Sequence, residues 1–324
     1  MRKAFHVPVL SGPLVDLLAL RPGQTAVDAT VGGGGHAELL AKRIAPGGTL
    51  IGLDRDPEAL EAAAERLRRA DLRVELVQAD FRNLGAVLEG MGAGPAHAVV
   101  LDLGVSSHQL DTPERGFSFR ADGPLDMRMC PLEGVPASEL LRTLPEEALA
   151  RLLWDYGDEP AARRIARAVV ERRQVRPLAT TSELAWLAER AVGGRRRGDT
   201  HPATRTFQAL RIAVNDELGA LEMGLASIPD LLAPGGVVAV LSYHSLEDRI
   251  VKRTLRRWAG ACQCPPRMPE CRCGVRAIAS VMTRRPIVPL SEEVAANPRA
   301  RSARLRAAQR LDDAGGSGLP LEDG

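Results

Sequence analysis

The sequence lacks any long apolar segment. No apolar run approaches the ~20 residues that a membrane-spanning helix needs, so a membrane protein of that kind is excluded. The basic start of the chain is interrupted by Pro8, Gly12, Pro13 and Asp16, which makes it a poor secretory signal. Hydrophobic residues make up 45% of the chain and charged residues 26%, as in a soluble globular protein. We therefore expect a cytoplasmic protein.

Lysine is scarce, and the charge is unevenly distributed. Only three of the 43 basic residues are lysines, and the net charge is +2. Residues 1–160 carry 16 basic and 24 acidic residues, a net of −8, whereas residues 161–324 carry 27 and 17, a net of +10. This asymmetry predicts that the second half binds a polyanion. The alternative is that the basic residues form solvated helix faces.

A glycine-rich loop is the most informative stretch of the chain. Residues 28–36 read Asp-Ala-Thr-Val-Gly-Gly-Gly-Gly-His, between a short buried strand at 25–27 and a helical pattern at 37–44. In α/β sheets a strand, a glycine loop and a helix cradle a nucleotide-like ligand. Glycine permits positive φ and close approach of the backbone, and the helix N-terminus offers free N–H groups.

Two cofactor classes fit this loop. Gly32, Gly34 and Ala37 have the spacing of a dinucleotide site, and Asp54 follows about twenty residues later, where it would hold a ribose hydroxyl. S-adenosylmethionine suits the same geometry. Asp28 at the strand end would repel a pyrophosphate but would attract a cationic sulfonium and amino group. The chain also shows no Tyr-x-x-x-Lys pair, which counts against an NAD(P)-dependent oxidoreductase.

The pattern of elements predicts a doubly wound α/β sheet. Four strand candidates alternate with three helical patterns in the first part of the chain, which is typical of parallel βα units. The strand candidates are residues 25–27, 49–54, 74–79 and 98–103, and the helical patterns are residues 37–44, 57–69 and 83–91.

Strand patterns are missing from the middle of the chain and return later. Between about Pro113 and Arg205 only helical stretches occur, at 137–143, 146–154, 160–173 and 181–191. Further strand candidates follow at 236–242 and 277–283. We therefore predict a Rossmann-like core formed by residues 1–112 and 206–311, an inserted helical substrate-recognition domain at 113–205 and a disordered tail at 312–324. The seams are expected at 109–115 and 199–206.

The segment Asp102-Leu103-Gly104-Val105-Ser106-Ser107 follows the fourth strand. Ligands bind at this edge of an open α/β sheet, so we expect acceptor-handling residues there. The alternative is a simple turn at Gly104. A function is favoured because residues 109–128 continue as a polar segment that is long and charged for a connector.

A set of short segments extends over nearly the whole chain, up to about Arg310. They are residues 6–10, 28–36, 53–57, 101–109, 115–119, 123–129, 201–211, 242–253 and 297–302. In these segments the chain resembles a known family, the MraW/RsmH family of 16S rRNA cytosine N4-methyltransferases.

The resemblance implies a class I methyltransferase fold with an inserted helical domain. It implies that S-adenosylmethionine is the cofactor and that the substrate is 16S rRNA in the small ribosomal subunit or an assembly intermediate, with no DNA or membrane partner. It further implies a set of cofactor-binding residues: Gly34, Gly35, His36, Asp54, Phe81, Asp102 and Gln109.

The reaction suggests which residues are catalytic. A cytosine amine is a weak nucleophile, and hydrogen-bond acceptors on its N–H groups would localise its lone pair and later take a proton. Asp102, Ser106 and nearby backbone carbonyl groups are the candidates, although amine methyltransferases often carry Asp/Asn-Pro-Pro-Tyr/Phe at this strand end. Methylation of carbon 5 would need a cysteine nucleophile, and neither 101–107 nor 241–245 contains one. A non-catalytic RNA-binding protein remains an alternative.

Two further segments carry groups that suit RNA. Residues 201–211 combine basic and aromatic side chains, and a run of basic residues follows 242–245. That run consists of Arg249, Lys252, Arg253, Arg256 and Arg257.

Four cysteines are clustered late in the chain. Cys262, Cys264, Cys271 and Cys273 form a Cys-x-Cys-x6-Cys-x-Cys pattern that can surround a zinc ion, although the usual spacing is Cys-x2-Cys. The alternative is a cysteine-bearing loop stiffened by prolines. A fifth cysteine, Cys130, stands alone.

Overall fold

The computed structural model describes residues 8–68, 70–194, 201–264, 268 and 270–312. The predicted disordered tail beyond Asp312, part of the seam predicted at 199–206 and the prolines at 265, 266 and 269 lie outside the described residues. Within the described ranges, no helix is both long and apolar enough to span a membrane.

The predicted alternation of strands and helices is observed in the first part of the chain. The strands are β1 (Thr25–Asp28), β2 (Thr49–Asp54), β3 (Arg73–Gln78), β4 (Ala96–Asp102), β5 (Leu232–Ser242), β6 (Ala279–Val281) and β7 (Arg304–Arg310). The first five helices are α1 (Ser11–Leu18), α2 (Gly35–Ile44), α3 (Pro57–Leu67), α4 (Leu84–Gly90) and α5 (Ser107–Asp111). The later helices are α6 (Ala137–Thr143), α7 (Glu146–Gly157), α8 (Ala162–Val175), α9 (Thr181–Val192), α10 (Ala203–Asn215), α11 (Glu217–Leu231), α12 (Ser245–Trp258) and α13 (Ser291–Ala296). Short 3-10 helices lie at Phe81–Asn83, Pro113–Arg115 and Pro298–Ser302.

The strands form one sheet of order β3-β2-β1-β4-β5-β7-β6. The first five strands pair in parallel, whereas β7 is antiparallel to both β5 and β6. The order reverses next to β1, which is the topological switch point where doubly wound sheets bind ligands. The predicted Rossmann-like, doubly wound α/β sheet is confirmed.

Both faces of the sheet are buried under helices. Alternate residues of β4 enter different apolar clusters: Ala98 and Val100 pack with α1, α2 and α3, whereas Val99 and Leu101 pack with α4, α11 and α12. Burial on both faces explains why these strands are continuous apolar runs in the sequence.

Strand β7 was not among the strands predicted from the sequence. Its sequence, Arg-Leu-Arg-Ala-Ala-Gln-Arg, is rich in residues that favour helices. The strand nevertheless lies between β5 and β6, and Arg306 is buried there because Asp248 of α12 accepts a hydrogen bond from its Nε at 2.7 Å. Tertiary pairing therefore overrides local propensity.

The chain divides into two compact units, Met1–Gly104 with Leu218–Gly324 and Val105–Glu217. We call them the sheet unit and the helical unit. The helical unit has its own apolar core, built from α6 to α10 and from the loop residues Phe117, Leu125 and Met127. It extends further at both ends than the predicted insertion at 113–205, because Leu110 and Val214 pack against this core.

Candidate active site

Three carboxylates stand at the ends of three adjacent strands. Asp28 ends β1, Asp54 ends β2 and Asp102 ends β4, and β1 is paired with both neighbours. Because parallel strands point the same way, their carboxyl ends meet at one edge of the sheet. This edge therefore concentrates negative charge next to the glycine loop.

The glycine loop connects this edge to α2. Gly32 has φ +50° and Gly34 has φ +78°, values that other residues rarely adopt. A Cβ on Gly34 would also lie 3.2 Å from the Cα of Ala63 in α3, so the loop packs too closely there for a larger residue. Gly34 precedes α2, and Gly35 and His36 form its first turn, where backbone N–H groups have no partner within the helix.

Asp54 holds the loop in place. Its Oδ2 accepts a hydrogen bond from the Gly32 N–H at 2.8 Å, and its Oδ1 accepts one from the Asp56 N–H at 2.9 Å. Burial raises the pKa of Asp54 to about 6, and the backbone hydrogen bonds limit the rise. Asp54 is only half-buried, so a ligand donor can still reach the carboxylate.

Buried His36 forms an ion pair with Asp102 and interacts electrostatically with buried Asp28. Burial would lower the pKa of His36, but hydrogen bonding to Asp102 and the charges of Asp102 and Asp28 raise it to about 9. The contacts agree, because His36 Nε2 lies 3.0 Å from the Val9 carbonyl oxygen and Nδ1 lies 3.4 Å from Asp102 Oδ2. Acceptors at both ring nitrogens favour the imidazolium. Burial raises the pKa of Asp28 to about 7 despite the opposing charge of His36.

Asp102 contacts Tyr243, Thr30 and His36. The Tyr243 hydroxyl donates a hydrogen bond to Asp102 Oδ1 at 2.7 Å, and the Asp102 N–H donates to Thr30 Oγ1 at 2.6 Å. Burial and the charge of Asp102 raise the pKa of Tyr243 well above its usual value, so the phenol remains a donor. The carboxylate is still 28% exposed and can meet a substrate. Tyr243 was not among the predicted site residues, and only its place after β5 pointed to this edge.

Phe81 and Asp80 follow β3. A Cβ on Gly224 of α11 would lie 2.7 Å from Phe81 Cδ2, so this glycine makes room for the ring, which stays half-buried. Asp80 forms ion pairs with Arg82 at 2.9 Å and Arg55 at 3.4 Å. The charge of Asp80 is therefore compensated by two arginines.

Ser106 and Gln109 belong to the helical unit and have a local role there. Ser106 is the N-cap of α5: its Oγ accepts from the Gln109 N–H at 3.2 Å, and Gln109 Oε1 accepts from the Ser106 N–H at 3.0 Å. This reciprocal capping box explains both residue types without a ligand. The catalytic role of Ser106 and the cofactor contact of Gln109 stay predictions.

The segments predicted to bind RNA differ in exposure. On α12 all five basic side chains are exposed, while Ile250, Val251, Leu255 and Trp258 are buried on the opposite face. In residues 201–211, by contrast, Phe207 and His201 pack around Phe119 at centroid distances of 4.9 and 4.6 Å, and Arg211 forms a two-point ion pair with Glu217. The basic face of α12 is thus the better candidate for phosphate contacts.

The four predicted metal ligands lie between α12 and β6 in the sheet unit, and their sulfur atoms all lie within 4.8 Å of one another. Cys130 is buried in the helical unit.

The chain matches the model of one protein family, the MraW methylase family, over residues 3–311. Three curated relatives are similar over nearly their full length, and each is named ribosomal RNA small subunit methyltransferase H. The relative from Symbiobacterium thermophilum is 50% identical over 307 residues, which cover 94% of this chain and 96% of the relative. Those from Heliobacterium modesticaldum and Trichlorobacter lovleyi are 50% and 49% identical, and cover 94% and 96% of this chain and 98% and 100% of the relatives.

Proposed function

Because the chain belongs to the MraW methylase family, we propose that it transfers a methyl group from S-adenosylmethionine to the exocyclic N4 of a cytosine in small-subunit (16S) ribosomal RNA. The observation that carries this proposal is the convergence of Asp28, Asp54 and Asp102 beside the glycine loop at the switch point of the sheet.

The residues at this edge fit S-adenosylmethionine. Among the described residues, His36 is the cation that interacts with both Asp28 and Asp102, and the negative edge can accept a sulfonium and an amino group. A pyrophosphate would meet the same carboxylates and be repelled, which disfavours the NAD(P)-dependent alternative. The space beside Gly32 is open, since the nearest atom to a Cβ placed there is the Thr30 carbonyl oxygen at 3.9 Å, and this permits the close backbone approach that a nucleoside needs.

We propose that Gly34, Gly35 and His36 bind the polar end of the cofactor through the N-terminus of α2. Asp54 accepts hydrogen bonds from the ribose hydroxyls. Phe81 stacks on the adenine with its half-buried ring. Gln109 completes the set by resemblance to the family.

When bound, S-adenosylmethionine supplies an electrophilic methyl group on a sulfonium. The chain has to align the cytosine amine and withdraw its proton. Asp102 can accept a hydrogen bond from that amine, since Tyr243 and His36 fix the carboxylate in one orientation. Ser106 is the second candidate acceptor.

The cytosine must leave any stacked or paired state to reach this edge, so the target is a single-stranded or flexible rRNA segment. We propose that the substrate is presented in the small ribosomal subunit or in an assembly intermediate, with α12 contacting phosphates through its exposed basic face.

Transfer of tritium from labelled S-adenosylmethionine to rRNA, followed by mapping of the product, tests the proposal. We expect label on the N4 of a cytosine in 16S rRNA, with naked 16S rRNA and assembled subunits compared in parallel. Label on carbon 5, or no transfer to either substrate by protein that binds RNA, would refute the N4 assignment or favour a non-catalytic RNA-binding protein. Calorimetry with S-adenosylhomocysteine and NADH tests the cofactor class separately.

A further inference from the structure

The methyl-transfer chemistry leaves the four-cysteine segment unexplained. It connects α12 to β6, and its base is closed by hydrogen bonds from the Ile278 N–H to the Trp258 carbonyl oxygen at 2.7 Å and from the Ala261 N–H to the Arg256 carbonyl oxygen at 3.0 Å. Between Ala259 and Ile278, every residue that the structure describes is exposed or half-buried. The described part of this segment therefore has no apolar core of its own, and something else must hold it in shape.

The sulfur atoms converge on one point. Sγ of Cys271 lies 3.4 Å from that of Cys262, 3.9 Å from that of Cys264 and 3.3 Å from that of Cys273, and Cys262 and Cys273 are 3.9 Å apart. Four thiolates around zinc at about 2.3 Å lie roughly 3.8 Å from one another in a tetrahedron. The four separations given above, 3.3–3.9 Å, lie near that value, and all the sulfur atoms are within 4.8 Å of one another. None of these distances is that of a bonded pair, and all four cysteines are free.

Two backbone groups face the sulfur atoms. The Cys264 N–H donates to Cys262 Sγ at 3.4 Å, and the Arg272 N–H donates to Cys264 Sγ at 3.3 Å. Such contacts orient ligands and spread thiolate charge around a metal. Cys262 and Cys271 are exposed, in contrast to buried Cys130, although free cysteine is normally among the most buried residues.

We propose that Cys262, Cys264, Cys271 and Cys273 form a structural zinc site that fixes the segment between α12 and β6. Four thiolates fill a tetrahedral shell and leave no position for water or substrate, so the ion is structural and not catalytic. Zinc binding releases the thiol protons and involves no change of oxidation state. Arg272 and Arg276, both exposed, lie in the segment that the ion would fix.

The test is metal analysis of full-length protein purified without chelators. We expect about one zinc per chain in the wild type and in Cys130→Ser, which removes a cysteine that is not a ligand. Cys271→Ser removes the sulfur that contacts the three others and should weaken zinc retention against a competing chelator by about 100-fold or more. Binding of S-adenosylhomocysteine by Cys271→Ser verifies that the sheet unit is folded.

A thiol titration under denaturing, metal-free and non-reducing conditions gives an independent result. We expect all five thiols of the chain to react. Replacing zinc with Co2+ should produce the absorption of a tetrahedral thiolate complex. One or three reactive thiols would indicate disulfides and overturn the proposal, as would wild-type zinc retention in Cys271→Ser. Protein with five thiols and no zinc, or with bound iron in its place, would also overturn it.

Discussion

Carboxylates at the edge of the sheet and carboxylates in the helical unit have pKa values shifted in opposite directions. Burial raises the pKa of Asp28 to about 7 and that of Asp54 to about 6. In the helical unit, burial would raise the pKa of Asp126, but the hydrogen bonds and charge of Arg128 outweigh it and lower the value. The Ala179 N–H and other donors lower the pKa of Glu183, which caps α9.

The difference separates residues that hold the fold from residues prepared for a ligand. A carboxylate with a lowered pKa stabilises the protein when ionised, whereas one with a raised pKa costs stability when ionised. The edge of the sheet retains such costly charges next to a glycine loop, which is typical of functional sites. A cationic ligand would relieve the cost.

The largest effect is expected at Asp102. Asp102→Asn keeps the shape of the side chain but removes the proton acceptor, so single-turnover methyl transfer should slow by about 10²- to 10⁴-fold. Tyr243→Phe should slow it less, because the carboxylate loses only one of its contacts. Ser106→Ala in the helical unit is the comparison: a rate loss equal to that of Asp102→Asn would move the catalytic role to Ser106. An unaltered rate in Asp102→Asn would refute its assignment.

Asp248 lies in the sheet unit but behaves like the carboxylates of the helical unit. Burial would raise its pKa, but hydrogen bonds from Arg306 and Arg304 lower it. Asp248→Ala leaves buried Arg306 unpaired and should reduce the free energy of unfolding by about 3–5 kcal/mol. Arg304 is 47% exposed, and Arg304→Ala should cost at most about 1 kcal/mol. Urea unfolding measures both losses, and equal losses of unfolding free energy in Asp248→Ala and Arg304→Ala would contradict this difference between a buried and an exposed ion pair.

Cofactor affinity should depend on pH. A bound cation favours ionised Asp28, and ribose hydroxyl donors favour ionised Asp54. Affinity for S-adenosylmethionine should therefore rise from pH 5.5 to 8, by up to about tenfold per pH unit for each proton released. The free energy of unfolding of the unliganded protein should change with pH in the opposite direction. The pKa values of Asp28 and Asp54 are raised above the 3.8 of the unfolded chain, so both groups contribute their full stability below pH 3.8. That contribution is lost as the pH rises through about 6 to 7.

Calorimetry across this pH range checks both the affinity and the proton release. The double variant Asp28→Asn/Asp54→Asn should flatten the profile. S-adenosylhomocysteine, which lacks the sulfonium charge, should show a weaker dependence than S-adenosylmethionine. A flat profile for the wild type would mean that Asp28 does not face the cationic part of the cofactor and that Asp54 does not accept hydrogen bonds from the ribose.

The smallest effect concerns α12. Changing Arg249, Arg253 and Arg256 to glutamate should weaken RNA binding and reduce the salt dependence by about 0.7–0.9 for each lost phosphate contact. Cofactor affinity should barely change. Glu183→Gln removes a charge from the capping box of α9 and serves as a charge-changing control in the helical unit. An unchanged salt slope in the triple variant would show that this face is only solvated.

Much of the sheet and its edge could be predicted because the signals are local. Burial on both faces makes β1, β2 and β4 apolar runs, and each run ends in an aspartate. Parallel strands bring those ends together, so Asp28, Asp54 and Asp102 could be assigned to one edge before any contact was known. The positive φ of Gly34 follows from the same local reasoning.

The remaining features depend on contacts between distant residues. Tyr243 binds Asp102 across 141 residues, and nothing near either residue predicts that pairing. The strand β7 exists because β5 and β6 supply its hydrogen bonds, although its own sequence favours a helix. Sequence determined the residue types at the strand ends and in the cysteine segment. Only the tertiary structure decided which side chains neutralise each carboxylate and that four sulfur atoms meet, because burial and charge compensation are properties of neighbours in space.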